Sequence, residues 1–346
     1  MKVVIEEFGQ VENKPVFSYT LKNDQGMEMT AINYGCIITK ITVPDKHGNF
    51  ENVVLGHDTL NDYLQDSSFQ GAVVGRVGGR IKGGEFELDG QTYTLAQNDH
   101  SNHLHGGIKG FDKVVWDAEV LDDGVKFSYV SPDGEEGYPG NLSIEVIYSI
   151  NNNNEISIQY QAQTDQKTLL TVTNHSYFNL SGNLKHDVLN HTLTLKSDQF
   201  LELDHEFIPT GEFLSVENTA FDFTKGGLIQ NGVESNHPQN VLVGNGYDHP
   251  FILKANHDNE IVLADAESGR SLTVETDEPA VVVYSGNSLS SEGEYRGVPS
   301  RKYLGICLET QGFPDAIHHP HFPSVVLDKD KQYLSVTKYK FGVIEE

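Results

Sequence analysis

Leu142-Ser143-Ile144-Glu145-Val146-Ile147-Tyr148-Ser149-Ile150, then Asn151-Asn152-Asn153-Asn154, then Glu155-Ile156-Ser157-Ile158-Gln159-Tyr160, is the stretch on which the fold turns. Apolar residues fall at every second position on both sides of the asparagine run, the period of a strand with one buried face. Asparagine favours turns, so the segment reads as an antiparallel hairpin. The same pattern recurs. Glu85 to Leu95 alternates around Asp89-Gly90, and Ile261-Val262-Leu263 returns through Glu267 to Arg270 as Leu272-Thr273-Val274. Turn pairs also stand at Asp123-Gly124, Asp133-Gly134, Asn231-Gly232 and Asn245-Gly246. No long segment carries the helical period, and the best short helix runs from Thr59 to Gln65. Many short alternating strands with Gly, Asn and Asp turns predict an all-β chain, an antiparallel sandwich or barrel with few short helices.

With 346 residues the chain can build a sizeable core, and no Pro-rich, Ser-rich or charged linker divides it. The weakly patterned Gly226 to Gly246 segment reads as a surface loop, and a single domain over residues 1–346 is expected. Lys and Arg total 24 against 50 for Asp and Glu, a formal charge of −26. Such a chain repels phosphate backbones and anionic membrane surfaces, so nucleic acid and membrane are set aside as partners. A neutral ligand such as a sugar is unaffected. The two cysteines, Cys36 and Cys307, fit a reducing compartment and form no disulfide framework. Met1 to Phe8 meets acidic residues at once and no apolar run approaches membrane-spanning length, so a cytoplasmic protein is expected.

Five stretches carry groups suited to chemistry. In Thr171-Val172-Thr173-Asn174-His175-Ser176-Tyr177-Phe178-Asn179-Leu180, a strand would align Thr171, Thr173, His175, Tyr177 and Asn179 on one face. That row suits either the wall of a ligand cleft or a solvent-facing surface. Gly75-Arg76-Val77-Gly78-Gly79-Arg80-Ile81 offers a close-approaching glycine pair and a guanidinium, but it lacks the context of a phosphate loop. Asn102-His103-Leu104-His105-Gly106-Gly107 puts His103 and His105 on one face if extended. A metal there would need further ligands that no motif supplies, so a hydrogen-bonding role is expected and no metal or cofactor is assigned. Gly246-Tyr247-Asp248-His249-Pro250 reads as a loop joining a carboxylate, an imidazole and a ring. In Leu304-Gly305-Ile306-Cys307-Leu308-Glu309-Thr310-Gln311, alternation sets Cys307, Glu309 and Gln311 on one face of an apolar strand. Burial without a counter-charge would make Glu309 a better general base, whereas an arginine partner would make it structural. His318, His319 and His321 read as turn residues.

Taken in order, these stretches resemble the aldose 1-epimerase family, in particular its galactose mutarotase branch. The match also includes Gly110-Phe111-Asp112-Lys113 with Trp116, Tyr284-Ser285-Gly286-Asn287 and Gly312-Phe313-Pro314-Asp315-Ala316, spanning about Asn33 to Pro323. The resemblance implies a large antiparallel β-sandwich with a sugar cleft on one face. It further implies that Glu309 is the general base and His175 the general acid, and that Arg80, His105 and Asp248 hold sugar hydroxyls. The reaction expected is anomer exchange of a free monosaccharide, galactose before glucose, by an enzyme needing no cofactor and no metal. The acid is expected to titrate near the ordinary histidine value. Many members carry Asn where this chain has Gly79, which removes one amide from the sugar's surroundings. Tyr284 is read as a cleft aromatic or a core residue, and assembly as a homodimer is left open. The alternatives are a catalytically silent sugar-binding protein of the same fold and an epimerase of hexose phosphates, which would need a cationic pocket.

Overall fold

The computed structural model describes residues 2–344. The asparagine-turned hairpin forms as expected: Leu142–Ile150 pairs with Glu155–Thr164, setting Val146 opposite Tyr160 and Tyr148 opposite Ile158. It lies in a nine-stranded antiparallel sheet, whose other strands in spatial order are Asp117–Val120 and Gly124–Ser131 on one side. On the other side follow Tyr333–Val343, Arg270–Thr276, Ile261–Ala264, Thr192–Leu195 and Gly227–Leu228. A six-stranded sheet runs Tyr177–Phe178, Ile306–Gln311, Ala280–Tyr284, Asp248–Ile252, Gln199–Leu203, Pro209–Ser215. Five consecutive strands from Lys2–Val11 to Phe50–Asn52 make a third sheet.

The inward faces of all three sheets meet in one core. It joins Ile306, Leu308, Val281, Val283 and Phe251 to Val146, Tyr148, Ile158 and Tyr339, and to Leu21, Met29 and Ile41. Each such side chain contributes roughly 1.5–3 kcal/mol of burial free energy. Phe178 meets Tyr339 edge-on at 5.2 Å, and the Thr310 and Thr337 hydroxyls are 2.7 Å apart, so the strand Ile306–Gln311 has its back fixed to the large sheet.

Helix is scarce. Leu60–Gln65 starts at the capping residue Thr59, whose hydroxyl accepts the Asp62 N–H. The segment read as a loop from Gly226 to Gly246 instead holds a short strand and two short helices, Gln230–Glu234 and Pro238–Leu242, the second started by its proline. No helix among the described residues is long and apolar enough to cross a membrane.

Thr171 to Leu180 is not one strand. Thr173–Asn174 pairs with Val73–Val74, whereas Tyr177–Phe178 pairs with Cys307 and Ile306. The side-chain oxygen of Asn174 accepts both the N–H and the hydroxyl of Ser176, a local turn that breaks the ladder between them. Both faces are consequently enclosed, and all ten residues are buried.

Candidate active site

Because Ile306 and Leu308 face the core, Cys307, Glu309 and Gln311 must face the other way. Register carries that face across the sheet: Val282 lies opposite Glu309, Tyr284 opposite Cys307, and Asp248 opposite Tyr284. Above it opens a cleft of about 800 Å³, a size that suits a small molecule. Arg80, His105, His175, Asp248 and Glu309 all line it, so the five residues singled out in the sequence converge from five separate segments.

Glu309 is 3% exposed. Its Oε1 lies 3.5 Å from Nε2 of His175, its one ion-pair partner among the described residues, so the arginine partner that would have made it structural is not found there. Burial pushes the Glu309 carboxyl well above its usual range, Asp248 pushes it further, and Arg80 pulls back. The same burial lowers His175 to about 4, only partly offset by its own backbone carbonyl and by Asp66. This corrects the expectation of an ordinary histidine, which overlooked how closed the site is. Asp248 is raised too, first by burial.

His105 has left-handed backbone (φ 51°) and accepts the Gly79 N–H at Nδ1 over 3.1 Å. With Nδ1 used as an acceptor, the neutral ring carries its proton on Nε2 and acts there as a donor. The Phe69 ring packs 4.8 Å from His105 and 5.9 Å from His175, holding both imidazoles. His103 does not share that face: it is wholly buried, bonded to the Ala96 carbonyl and the Tyr138 hydroxyl at 2.7 Å each. The left-handed turn at His105 ends the two-residue strand and separates the pair.

Arg80 donates from Nε to Asp99 Oδ2 at 2.7 Å, and its guanidinium sits 5.3 Å over Phe207. Nothing in the sequence marked Asp99, Phe207 or Phe69. Asp248 and His249 are likewise not a pair, since they begin a strand rather than occupy a loop. Asp248 faces the cleft while His249 packs among Phe200 and Phe221. Tyr284 is a cleft residue, its ring 5.9 Å from Tyr177 and its hydroxyl accepting the Ser288 N–H.

Among the described residues, two groups bring metal-type donors together, His105 with His175 and Glu309, and His186 with His191 and Asp265. A ligating imidazole nitrogen must offer a free lone pair. His105 already accepts a backbone N–H, and His191 accepts that of Leu180 at Nε2, so in each neutral ring the remaining nitrogen holds the proton. Neither donor set fits a metal as it stands. The first suits hydrogen bonding and proton transfer.

A sequence model of the aldose 1-epimerase family matches residues 18–340. The chain is 44% identical over 333 residues to a galactose mutarotase of Bos taurus, covering 95% of this chain and 94% of that one. It is 35% identical over 336 residues to an aldose 1-epimerase of Escherichia coli (strain K12), with 95% and 96% covered. A crystal structure of galactose 1-epimerase from Lactobacillus acidophilus superposes with a TM-score of 0.88 at 30% identity, covering 99% of each chain.

Proposed function

The chain belongs to the aldose 1-epimerase family and is an isomerase of that activity, and we propose that Glu309 is its general base and His175 its general acid. The observation that carries this reading is the 3.5 Å approach of the two groups on the floor of the cleft, ringed by Arg80, His105 and Asp248. Glu309 takes the proton of the anomeric hydroxyl, C1=O forms, the bond from C1 to the ring oxygen breaks, and His175 delivers a proton to that oxygen. Rotation about C1–C2 and the reverse transfers then close the other anomer. Each positioned group contributes about 10²- to 10⁴-fold.

Burial supports this cycle in a specific way. Carboxylate plus imidazolium holds as many protons as carboxylic acid plus neutral imidazole, and ring opening converts the first pair into the second. The upward shift at Glu309 and the downward shift at His175 both favour the neutral pair, the form that accompanies the open-chain aldehyde. Starting from the ion pair, the two proton transfers of ring opening therefore run toward the forms that the site prefers.

Arg80 and the Nε2–H of His105 donate to sugar hydroxyls, and Asp248 accepts from one. Free galactose is the first substrate, supported by the galactose in the relatives' names, and glucose the second. A hexose phosphate is disfavoured by the carboxylates of Asp58, Asp62, Asp66, Glu292 and Glu294 along the cleft. We read residues 1–346 as one domain, supported by a core that runs from Tyr19 to Phe341. The test is polarimetry of freshly dissolved α-D-galactose and α-D-glucose, with and without a chelator. Chelator-insensitive acceleration of both, faster with galactose, is expected; a decay at the buffer rate with micromolar protein counts against the reading.

A further inference from the structure

His175 offers one ring nitrogen to Glu309 and the cleft, and something must hold the other. Among the described residues, the one side-chain hydrogen-bond partner of its Nδ1 is the Cys307 thiol, with Sγ 3.5 Å away. Cys307 is 0% exposed and stands two residues before Glu309 on the same strand, with Tyr177 and Tyr284 paired to it on either side. Both rings flank the imidazole as well, Tyr177 at 5.0 Å and Tyr284 at 6.4 Å. One backbone row thus fixes the base and the partner of the acid together.

We infer that Cys307 is a positioning residue for His175, keeping the proton of the neutral imidazole on Nε2 while still accepting the imidazolium. The inference rests on the reading of His175 as the acid. Its chemistry follows from what a thiol can do. As an S–H donor to Nδ1 it directs the ring proton to Nε2, where Glu309 and the sugar lie. When the ring is protonated, Nδ1–H turns back onto a sulfur lone pair. A carboxylate at this place would accept only, pinning the proton on Nδ1, a pull that the residue's own backbone carbonyl already exerts and that the thiol offsets; a backbone N–H would donate only and oppose the imidazolium. A weak two-way partner suits a group that changes protonation twice per turnover. Burial holds the thiol well above its usual pKa, so it remains S–H.

The test reads the tautomer directly. In the whole protein, ¹⁵N spectra of the His175 ring at pH 7 are expected to show a protonated Nε2 and a bare Nδ1; a protonated Nδ1 in the neutral ring overturns the inference. Cys307→Ala is expected to lower kcat roughly tenfold, the scale of leaving one buried acceptor unpaired, with KM unchanged. Cys307→Ser, which keeps a two-way hydroxyl, is expected to restore both the tautomer and most of kcat, whereas Cys307→Val, which fills the volume without a donor, is not. If Val rescues as well as Ser, the residue acts by packing alone and the inference falls. The spectra also separate this inference from the reading beneath it: full activity in His175→Asn with the Nε2–H tautomer intact in the parent protein would remove the acid role and leave the hydrogen bond standing.

Discussion

Glu309 Oε1 stands 3.5 Å from His175 Nε2, inside a cleft where burial drives the two groups toward their neutral forms from opposite directions. A pair arranged in this way acts as one proton-holding unit. Glu309→Gln and His175→Asn are each expected to lower kcat by about 10²- to 10⁴-fold with far smaller changes in KM. The double variant should fall little below the worse single one, because removing either member already disables the exchange. Initial polarimetric rates with galactose decide this, with thermal melting to show that the variants fold; multiplicative losses would mean the two groups act independently.

The same pair sets the pH profile. Its working state carries one transferable proton. Adding a second titrates His175, lowered to about 4; removing the only one titrates Glu309, raised well above its ordinary value. The groups facing Glu309 are Asp248 and Arg80, and those around His175 are His105, Asp66, Cys307, Tyr177 and Tyr284. A bell-shaped dependence of kcat/KM is expected, with an acid limb near about 4 and an alkaline limb that moves down when Asp248→Asn removes the neighbouring negative charge. An acid limb at the ordinary histidine value, 6.5, would contradict the buried, neutral His175.

Stability should follow pH through the buried histidines. His249 is wholly buried, accepts the Asp248 N–H at Nδ1, sits 3.1 Å from Gln239 Oε1 through Nε2, and is lowered to about 3 by burial and then by His237. Its folded pKa lies below the unfolded value near 6.5, so the unfolded chain binds the proton first. Its contribution is present above about pH 6.5 and lost as pH falls toward about 3, with a limiting slope of about 1.4 kcal/mol per pH unit. His249→Gln is expected to unfold more readily at pH 7 yet to lose less stability between pH 6 and pH 4. Urea midpoints across that range measure the difference, and parallel curves would rule it out.

What the sequence made legible was local. The hairpin at Leu142 to Tyr160 could be read because alternation and turn lie within one short window, and the same holds for the short helix expected over Thr59 to Gln65. His175 and Tyr177 do wall the cleft, but the single strand drawn over Thr171 to Leu180 fails because period alone cannot register the Asn174 side chain competing with the ladder. Asp248 and His249 read as neighbours in one loop, whereas they begin a strand whose pleating sends them to opposite faces. The five cleft residues were legible through family motifs, and their supports were not. Asp99 reaches Arg80 across 19 positions of chain and Cys307 reaches His175 across 132, separations that only folding closes.

Asp99 gives one such support a measurable consequence. Its carboxylate holds Arg80 by a 2.7 Å bond from Nε, leaving the terminal nitrogens of the guanidinium for the cleft. Asp99→Ala is expected to raise KM for galactose about threefold to tenfold while leaving kcat nearly unchanged, since a loosened arginine binds ground and transition states equally less well. Arg80→Lys should do the same more strongly, because an ammonium cannot be held at one nitrogen and donate from the others. A fall in kcat alone would show instead that Arg80 acts on the reacting atoms.

Gly79 stands where the resemblance implies asparagine in many members of the family, and its surroundings yield a prediction. Its φ is +79°, and a Cβ placed there would meet Cβ and Cγ of Pro314 at 2.9 Å each. Asparagine tolerates left-handed backbone, so the obstacle is the stiff pyrrolidine ring rather than the dihedral angle. Relieving that clash must move either the Gly78-Gly79 backbone, which donates to His105, or Pro314, three residues beyond the buried Gln311. Gly79→Asn is therefore expected to destabilise the protein by about 1–3 kcal/mol and to lower kcat/KM through the displaced His105. Adding Pro314→Ala should recover much of both losses by opening the space. Melting curves and polarimetric rates of the two variants test the coupling, and a Gly79→Asn protein as stable and as active as the parent would show that the ring and the loop give way freely.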